Sequence, residues 1–148
     1  MSKRRKVGVV IPARNEEKYL PITLKALNMQ TYKPSLVVVI DDGSTDNTPI
    51  IAKNFGAHVI SLPNRGYRAT GLPLVAQVIN IGLRYLKDKD LDYVMILGAD
   101  HVLSRNYIEY LIELLERRKK IVICSGIIAG EKVYLDMPRG SGRIIRSS

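Results

Sequence analysis

The chain has 148 residues, of which 46% are apolar, and a formal net charge of +9 at pH 7. This length and apolar content suffice for one substantial hydrophobic core, so a single domain over residues 1–148 is expected. Its one cysteine, Cys124, excludes an internal disulfide framework. The apolar neighbours of Cys124 favour a buried structural thiol, which is compatible with a reducing cytosol.

The sequence pattern predicts neither a membrane span nor a secretory leader. No apolar run approaches the roughly 20 residues of a span, and the basic start leads into an apolar run too short for a signal peptide. We therefore expect a cytoplasmic protein. The charge runs at residues 3–6 and 117–120 lack interleaved aromatic residues, so nucleic acid is not expected as a partner. Most of these charges are interpreted as solvated surface, and peripheral attraction to anionic lipid at the inner face of the membrane stays open as the alternative.

Apolar runs of strand length recur along the chain, at residues 7–11, 36–40, 57–61, 93–97 and 121–125. Helical patterns separate them. This alternation predicts an α/β fold with a mostly parallel sheet flanked by helices.

Four helices are predicted between these strands. The first carries Leu20, Leu24 and Leu27 on one face, and the second begins at Thr48-Pro49 and ends at Gly56. The third runs from about residue 75 to 86, and the fourth covers 106–117, with Ser104 available as its N-cap. From residue 126 onward the pattern loosens, and residues 131–148 are expected to form a loop with one short strand.

Polar residues cluster where three of the predicted strands end. Residues 12–16 (Pro-Ala-Arg-Asn-Glu) follow the first strand, residues 41–46 (Asp-Asp-Gly-Ser-Thr-Asp) close the second, and residues 98–101 (Gly-Ala-Asp-His) follow the fourth. In open α/β sheets, ligands bind beyond the carboxyl ends of the strands. One site assembled from all three segments is therefore expected.

In order and spacing, these segments resemble the nucleotide-sugar-dependent glycosyltransferases of family 2, which are inverting enzymes with the GT-A fold. The resemblance covers nearly the whole chain, but such catalytic domains are usually longer. It therefore implies the N-terminal, donor-binding part of the fold, with the acceptor-binding part incomplete. Residues 98–101 depart from the family pattern, because Gly98 stands where the Asp-x-Asp motif has its first Asp.

The resemblance implies a set of nucleotide-sugar-binding residues. In the family, the acid at the position of Asp42 accepts a hydrogen bond from a nucleobase N–H. The alternative for residues 41–48 is an Asx-type turn or helix cap, which is the better reading for Asp46 alone. Arg14 either contacts the nucleotide or is a surface arginine. The implied set is Pro12, Ala13, Arg14, Asn15, Asp41, Asp42, Arg68, Ala99 and Asp100.

The family also uses a divalent metal, Mg or Mn, which would neutralise the donor diphosphate. Asp100 corresponds to the last acid of the metal motif, and water, Asp41, Asp42 or His101 would complete the site. His101 suits Mn better than Mg as a ligand, and a loop histidine with no metal role is the alternative. Arg68 and, less securely, Arg65 are expected to contact the diphosphate. The negative charges of Glu16 and Glu17 are expected to interact favourably with the positive end of the helix dipole at the start of the first helix.

The implied reaction moves a sugar from a nucleotide-diphosphate donor to an acceptor hydroxyl or lipid phosphate. This reaction needs a carboxylate that acts as the base. Glu131 and Asp136 are acids near the end of the sequence, and neither lies in a recognisable base motif. The chain is therefore expected to be a fragment that lacks the base. The sugar, nucleobase and acceptor are unspecified. Alternatives are a nucleotide-sugar-binding module without turnover and a sugar-phosphate nucleotidyltransferase, although residues 12–15 lack the latter's glycine-rich loop. Rossmann and P-loop motifs are absent.

Overall fold

The computed structural model describes residues 4–68, 73–126 and 141–147. It confirms the α/β prediction and the order of the elements. Strands and helices alternate as β1 (Val7–Ala13), α1 (Leu20–Asn28), β2 (Leu36–Asp41), α2 (Thr48–Asn54), β3 (His58–Ser61), α3 (Pro73–Lys87), β4 (Tyr93–Ile96), α4 (Tyr107–Arg117), β5 (Ile123–Ser125) and β6 (Arg143–Arg146).

The strands form one six-stranded sheet in the order β3-β2-β1-β4-β6-β5. The four strands β3, β2, β1 and β4 are parallel, and their register places Ala13 beside Asp41 and Val10 beside Ile96. The short late strand β6 pairs antiparallel with both β4 and β5. The carboxyl ends of β1, β2 and β4 therefore meet at one edge of the sheet.

Helices cover both faces of the sheet. On one face α1, α2 and α4 pack on Val9, Ile11 and Met95, and on the other face α3 packs on Val10 and Ile40. The central strand β1 is buried on both sides, which explains its nearly continuous apolar run. This burial fixes the positions of the strand ends that carry the polar segments.

A glycine brings α3 close to the sheet. A Cβ added at Gly82 would lie 2.5 Å from a methyl carbon of Val10, so a larger residue there would push the helix away. Val78 lies one turn earlier in α3 and is also buried. The close approach at Gly82 therefore also sets the distance between α3 and the carboxyl ends of the strands.

The helix boundaries follow their sequence signals at α2 and differ at α4. Pro49 lies in the first turn of α2, and Gly56, with φ of +81°, follows its end. Helix α4 has Asn106 at its N-cap rather than Ser104. The amide of Ile108 donates instead to Oε1 of Gln30, at 3.1 Å, so the cap comes from the segment that follows α1.

Within the described residues, no helix is long and apolar enough to cross a membrane.

Candidate functional site

A pocket opens at the carboxyl ends of β1, β2 and β4. Its volume is about 270 Å³. The elements that meet there bring together most of the residues expected from the sequence, and α3 closes one side. The lining residues are Pro12, Ala13, Arg14, Glu16, Asp42, Arg68, Val75, Val78, Gly98, Ala99 and Asp100.

Asp42 is the most unusual residue of the pocket, because its carboxylate is buried and only half satisfied. Its backbone N–H donates to the carbonyl of Ala13 at 2.8 Å, which ties the end of β2 to β1. Oδ2 accepts a hydrogen bond from Arg65. Oδ1 is buried and has no partner among the described residues. A buried carboxylate oxygen without a donor is costly, so this atom is suited to a ligand N–H or O–H.

Asp41 and Asn15 are absent from the pocket lining. Oδ1 of Asp41 accepts from the amide of Ser44 at 3.0 Å, in the Asx-type turn that was the alternative for this segment. Asn15 adopts a positive φ of 53°, and its Oδ1 accepts from the amide of Thr45 at 2.8 Å. Both side chains therefore shape the loops beside the pocket.

Asp46 lies just before Asn47, the N-cap of α2, and its carboxylate binds the first residue of the helix, close to the capping role that was its alternative interpretation. Its Oδ1 accepts from the amide and the hydroxyl of Thr48, at 3.0 and 2.6 Å, and its Oδ2 accepts from the amide of Glu17. Burial works against the charged form, but these hydrogen bonds outweigh it and lower the pKa of Asp46. The residue stabilises the start of α2.

Arg14 is buried, so the interpretation as a surface arginine is wrong. Its guanidinium donates to the backbone carbonyl of Asp42 and to Oδ1 of Asn64, the latter at 2.6 Å. Arg14 thereby joins the loop after β2 to the segment 62–68 across the floor of the pocket. By donating to the carbonyl of Asp42, Arg14 holds the backbone of that residue in place.

The prediction that Glu16 and Glu17 lie at the start of the first helix is wrong, because α1 begins only at Leu20. The chain turns at Asn15, and the buried Glu16 carboxylate lines the pocket, where Arg68 donates to it. Glu17 accepts instead from the amide of Asn47, next to α2. The positive φ of Asn15 redirects the chain, and the sequence pattern alone did not reveal that turn.

Of the two metal candidates, Asp100 lines the pocket, whereas His101, the next residue, is absent from the lining. The Asp100 side chain is 60% exposed, and its Oδ1 lies 3.2 Å from Nδ1 of His101. That nitrogen is buried and makes no hydrogen bond with a described residue. A Cβ at Gly98 would lie only 2.5 Å from it, so the absence of a side chain at position 98 makes room for the imidazole.

This pair fits a divalent ion only in part. Two ligands bound to one ion at about 2.1 Å each, at a right angle, are about 3 Å apart, which is close to the separation observed here. However, no cluster of three or more His, Cys, Asp or Glu side chains suited to a metal occurs in the described parts of the chain. Further oxygen ligands would have to come from water or substrate.

Several contacts that the sequence did not indicate support the site. Arg65, which was expected at the diphosphate, pairs with Asp42, and Asn64 accepts from Arg14. The hydroxyl of Ser141, just before β6, accepts from the amide of Gly98 at 2.7 Å. Each contact joins residues that lie far apart in the chain, so local sequence patterns do not reveal it.

Comparisons with known proteins agree with this architecture. The chain is 29% identical to glycosyltransferase GlyG of Streptococcus pneumoniae over 122 residues, which are 79% of the chain and 37% of GlyG. Its fold matches S. aureus TarS 1–349 in complex with UDP, with a TM-score of 0.73, 19% identity and coverage of 95% of the chain and 46% of TarS. It also matches the mannosyltransferase PcManGT from Pyrobaculum calidifontis in complex with GDP-Man and Mn²⁺, with a TM-score of 0.68, 22% identity and coverage of 85% and 36%.

The chain spans less than half the length of each of these proteins. The structural matches show the GT-A fold that the site segments suggested. The family model for glycosyl transferase family 2 matches residues 8–146, which is nearly the whole chain. The chain therefore belongs to glycosyl transferase family 2.

Proposed function

We propose that the pocket binds a nucleotide-diphosphate sugar, the donor of a glycosyl transfer. The observation that carries this proposal is the buried, unpartnered Oδ1 of Asp42 at the edge where α/β folds bind ligands. A nucleobase N–H would supply the missing donor. The complexes of TarS with UDP and of PcManGT with GDP-Man support a ligand of this class.

The diphosphate would lie between Arg68 and the Gly98–His101 segment. Arg68 is 61% exposed, and its partner Glu16 holds it at the pocket wall. Asp100, with His101, would hold Mg or Mn, and the ion would neutralise negative charge that grows as the sugar leaves. The mixed carboxylate and imidazole donors favour Mn, the ion present in the PcManGT complex.

The chemical step would be an inverting displacement. A bond forms between the acceptor oxygen, of a hydroxyl or lipid phosphate, and the anomeric carbon while the bond from that carbon to the diphosphate breaks. A hydroxyl acceptor must lose its proton to a carboxylate. In the described pocket, Glu16 and Asp42 are ion-paired with arginines, and Asp100 is the metal candidate; Glu131 and Asp136 lie outside the described residues. We therefore expect this chain alone to bind donor without transferring sugar.

The test is a panel of UDP, GDP and dTDP, scored by thermal stabilisation and calorimetry with and without Mn²⁺. One nucleotide should raise the melting temperature at concentrations near its Kd, as expected for any ligand that binds only the folded state. No stabilisation by any of the three would contradict donor binding. A separate assay with the matching sugar nucleotide distinguishes a binding module from an enzyme, because efficient transfer would show that the base is present.

A further inference from the structure

The edge of the sheet opposite the pocket carries an excess of positive charge. Parallel strands begin there and the helices that precede them end there, and the last turns of these helices and the connections into the strands place cations at this edge. We call this surface the basic edge and define it by its cationic residues: residues 4–6, Lys33, Lys53, Lys87, Lys89, residues 117–120 and Arg146. Asp88, between Lys87 and Lys89, is an exposed acid within it. Arg146 belongs to it because antiparallel β6 places it beside Tyr93, the first residue of β4.

Acidic residues neutralise only part of this charge. Asp90 pairs with Lys6 at 2.7 Å and Asp92 with Arg5 at 3.0 Å. Glu116 is shared among Arg5, Lys119 and Arg146. The exposed side chains of Lys33, Lys53, Lys87, Arg118 and Lys120 form no ion pair with any described residue.

Cations at helix ends are favourable by themselves, since they interact with the helix dipole. That explanation covers Lys53, Lys87 and residues 117–120 but not residues 4–6 or Lys33, which precede strands. At the opposite edge, by contrast, Arg65 and Arg68 are paired with the acids Asp42 and Glu16, and Arg14 is buried. The charge is therefore distributed unevenly between the two ends of the sheet.

We propose that the basic edge docks on an anionic phospholipid membrane, with the pocket facing away from the bilayer. Six strands at a spacing of about 4.8 Å give this edge a width of about 24 Å, so the cations form a broad array suited to a charged plane. A second copy of the chain would bring like charges together. This proposal is independent of which nucleotide the pocket binds, but a pocket that faces away from the bilayer favours an acceptor hydroxyl over a lipid phosphate of the same membrane.

Nucleic acid fits this surface less well. Single strands bind where aromatic faces are free to stack on bases. At the basic edge, Arg4 lies over Tyr32, 4.9 Å from the ring centroid, and Lys89 lies over Tyr85 at 4.7 Å. Both rings are only partly exposed, and each is covered by a cation of the edge itself.

Vesicle co-sedimentation tests the proposal. The folded chain should bind phosphatidylcholine vesicles that contain phosphatidylglycerol, should ignore pure phosphatidylcholine, and should be released as salt rises. Lys120→Glu and Lys87→Glu, on two different connections of the basic edge, should each weaken binding about tenfold. Lys18→Glu is the matched control, because it lowers the net charge equally but lies between β1 and α1, on the pocket side, and should change binding little.

Three outcomes would overturn the proposal. The wild-type chain could fail to bind the anionic vesicles, or Lys18→Glu could weaken binding as much as the two edge variants, which would mean that net charge alone decides. Tighter binding of a DNA or RNA oligonucleotide than of anionic vesicles at the same salt would identify nucleic acid as the partner. Circular dichroism verifies that each variant is folded, and either edge variant suffices for the comparison.

Discussion

Asp42 and Asp46 belong to one acidic loop, yet their contacts differ completely. Asp46 is saturated by hydrogen bonds from Thr48 and Glu17, whereas Asp42 keeps one buried oxygen without a described partner. The first arrangement stabilises a helix start, and the second is suited to a ligand. The sequence already favoured a capping role for Asp46 and a ligand contact for Asp42, and the directions of the two side chains give the physical reason for this difference.

This contrast gives the first prediction. Asp42→Ala should weaken binding of the preferred nucleoside diphosphate by about 1–3 kcal/mol, because a hydrogen bond to a charged group is lost. Asp46→Ala should leave affinity unchanged but lower the free energy of unfolding by about 1 kcal/mol, because the amide and hydroxyl of Thr48 lose their acceptor. Calorimetric titration and chemical denaturation of both variants measure the two effects. Equal affinities of Asp42→Ala and wild type would refute the assignment of Asp42.

The second prediction concerns the metal. Asp100→Ala should remove the gain in nucleotide affinity that Mn²⁺ or Mg²⁺ gives and should spare the metal-free affinity, since the ion is expected to be shared with the diphosphate. His101→Ala should reduce the Mn²⁺ effect more than the Mg²⁺ effect. Calorimetry in each metal, with chelator as the control, measures this. If Asp100→Ala keeps the full metal effect, the ion is bound elsewhere.

At the scale of elements, side chains from distant segments complete the helix ends and the strand edges. Gln30, just after α1, accepts from the amide of Ile108 in α4 and donates to the carbonyl of Ser104 at 2.7 Å. Near the other end of α4, Glu116 accepts from the hydroxyl of Tyr93 in β4. Helix α4 is therefore fixed at both ends by residues outside it, which explains why the helix does not use Ser104 as a local cap.

Gln30→Ala should lower the free energy of unfolding by about 1–3 kcal/mol, because it leaves the buried amide of Ile108 without a partner. Asn28→Ala, an exposed neighbour in α1, is the control and should cost little. Urea denaturation of the two variants provides the comparison. A Gln30→Ala protein as stable as the control would mean that α4 does not depend on this cap.

The Tyr93–Glu116 hydrogen bond should make stability depend on pH at both extremes. Hydrogen bonds from Lys119, Tyr93 and Arg5 lower the pKa of Glu116 from 4.5 to about 2, so its contribution is present above pH 4.5 and is lost as pH falls toward 2. Burial and the hydrogen bond to Glu116 raise the pKa of Tyr93 from 10.0 to about 12. The contribution of the Tyr93 hydroxyl to stability is therefore present below pH 10 and is lost as the pH rises from 10 to about 12.

The corresponding variant is Tyr93→Phe. Its deficit in unfolding free energy relative to wild type should be constant between about pH 5 and about pH 9 and should shrink on either side. Denaturation across this pH range measures the deficit, with Glu113→Gln, in an exposed ion pair with Arg117, as a nearly neutral control. A deficit that does not change with pH would indicate a packing effect alone.

For the whole molecule, the sequence predicted what local patterns determine. Alternating apolar runs placed the strands and helices within a few residues, and the carboxyl ends of parallel strands necessarily bring residues 12–16, 41–46 and 98–101 together. The insertion of β6 between β4 and β5, the Arg65–Asp42 pair and the turn of Glu16 into the pocket depend on contacts between distant segments. No periodicity in the chain encodes such contacts.

The functional proposal depends on one claim, that a single pocket holds the nucleobase at Asp42 and the diphosphate beside Asp100. A crystal structure of the chain with its preferred nucleoside diphosphate and Mn²⁺ tests it most directly. We predict that a nucleobase N–H lies within hydrogen-bonding distance of Asp42 Oδ1 and that the phosphate oxygens and the ion lie at Asp100. A nucleotide bound elsewhere, or one whose base does not contact Asp42, would contradict the proposal.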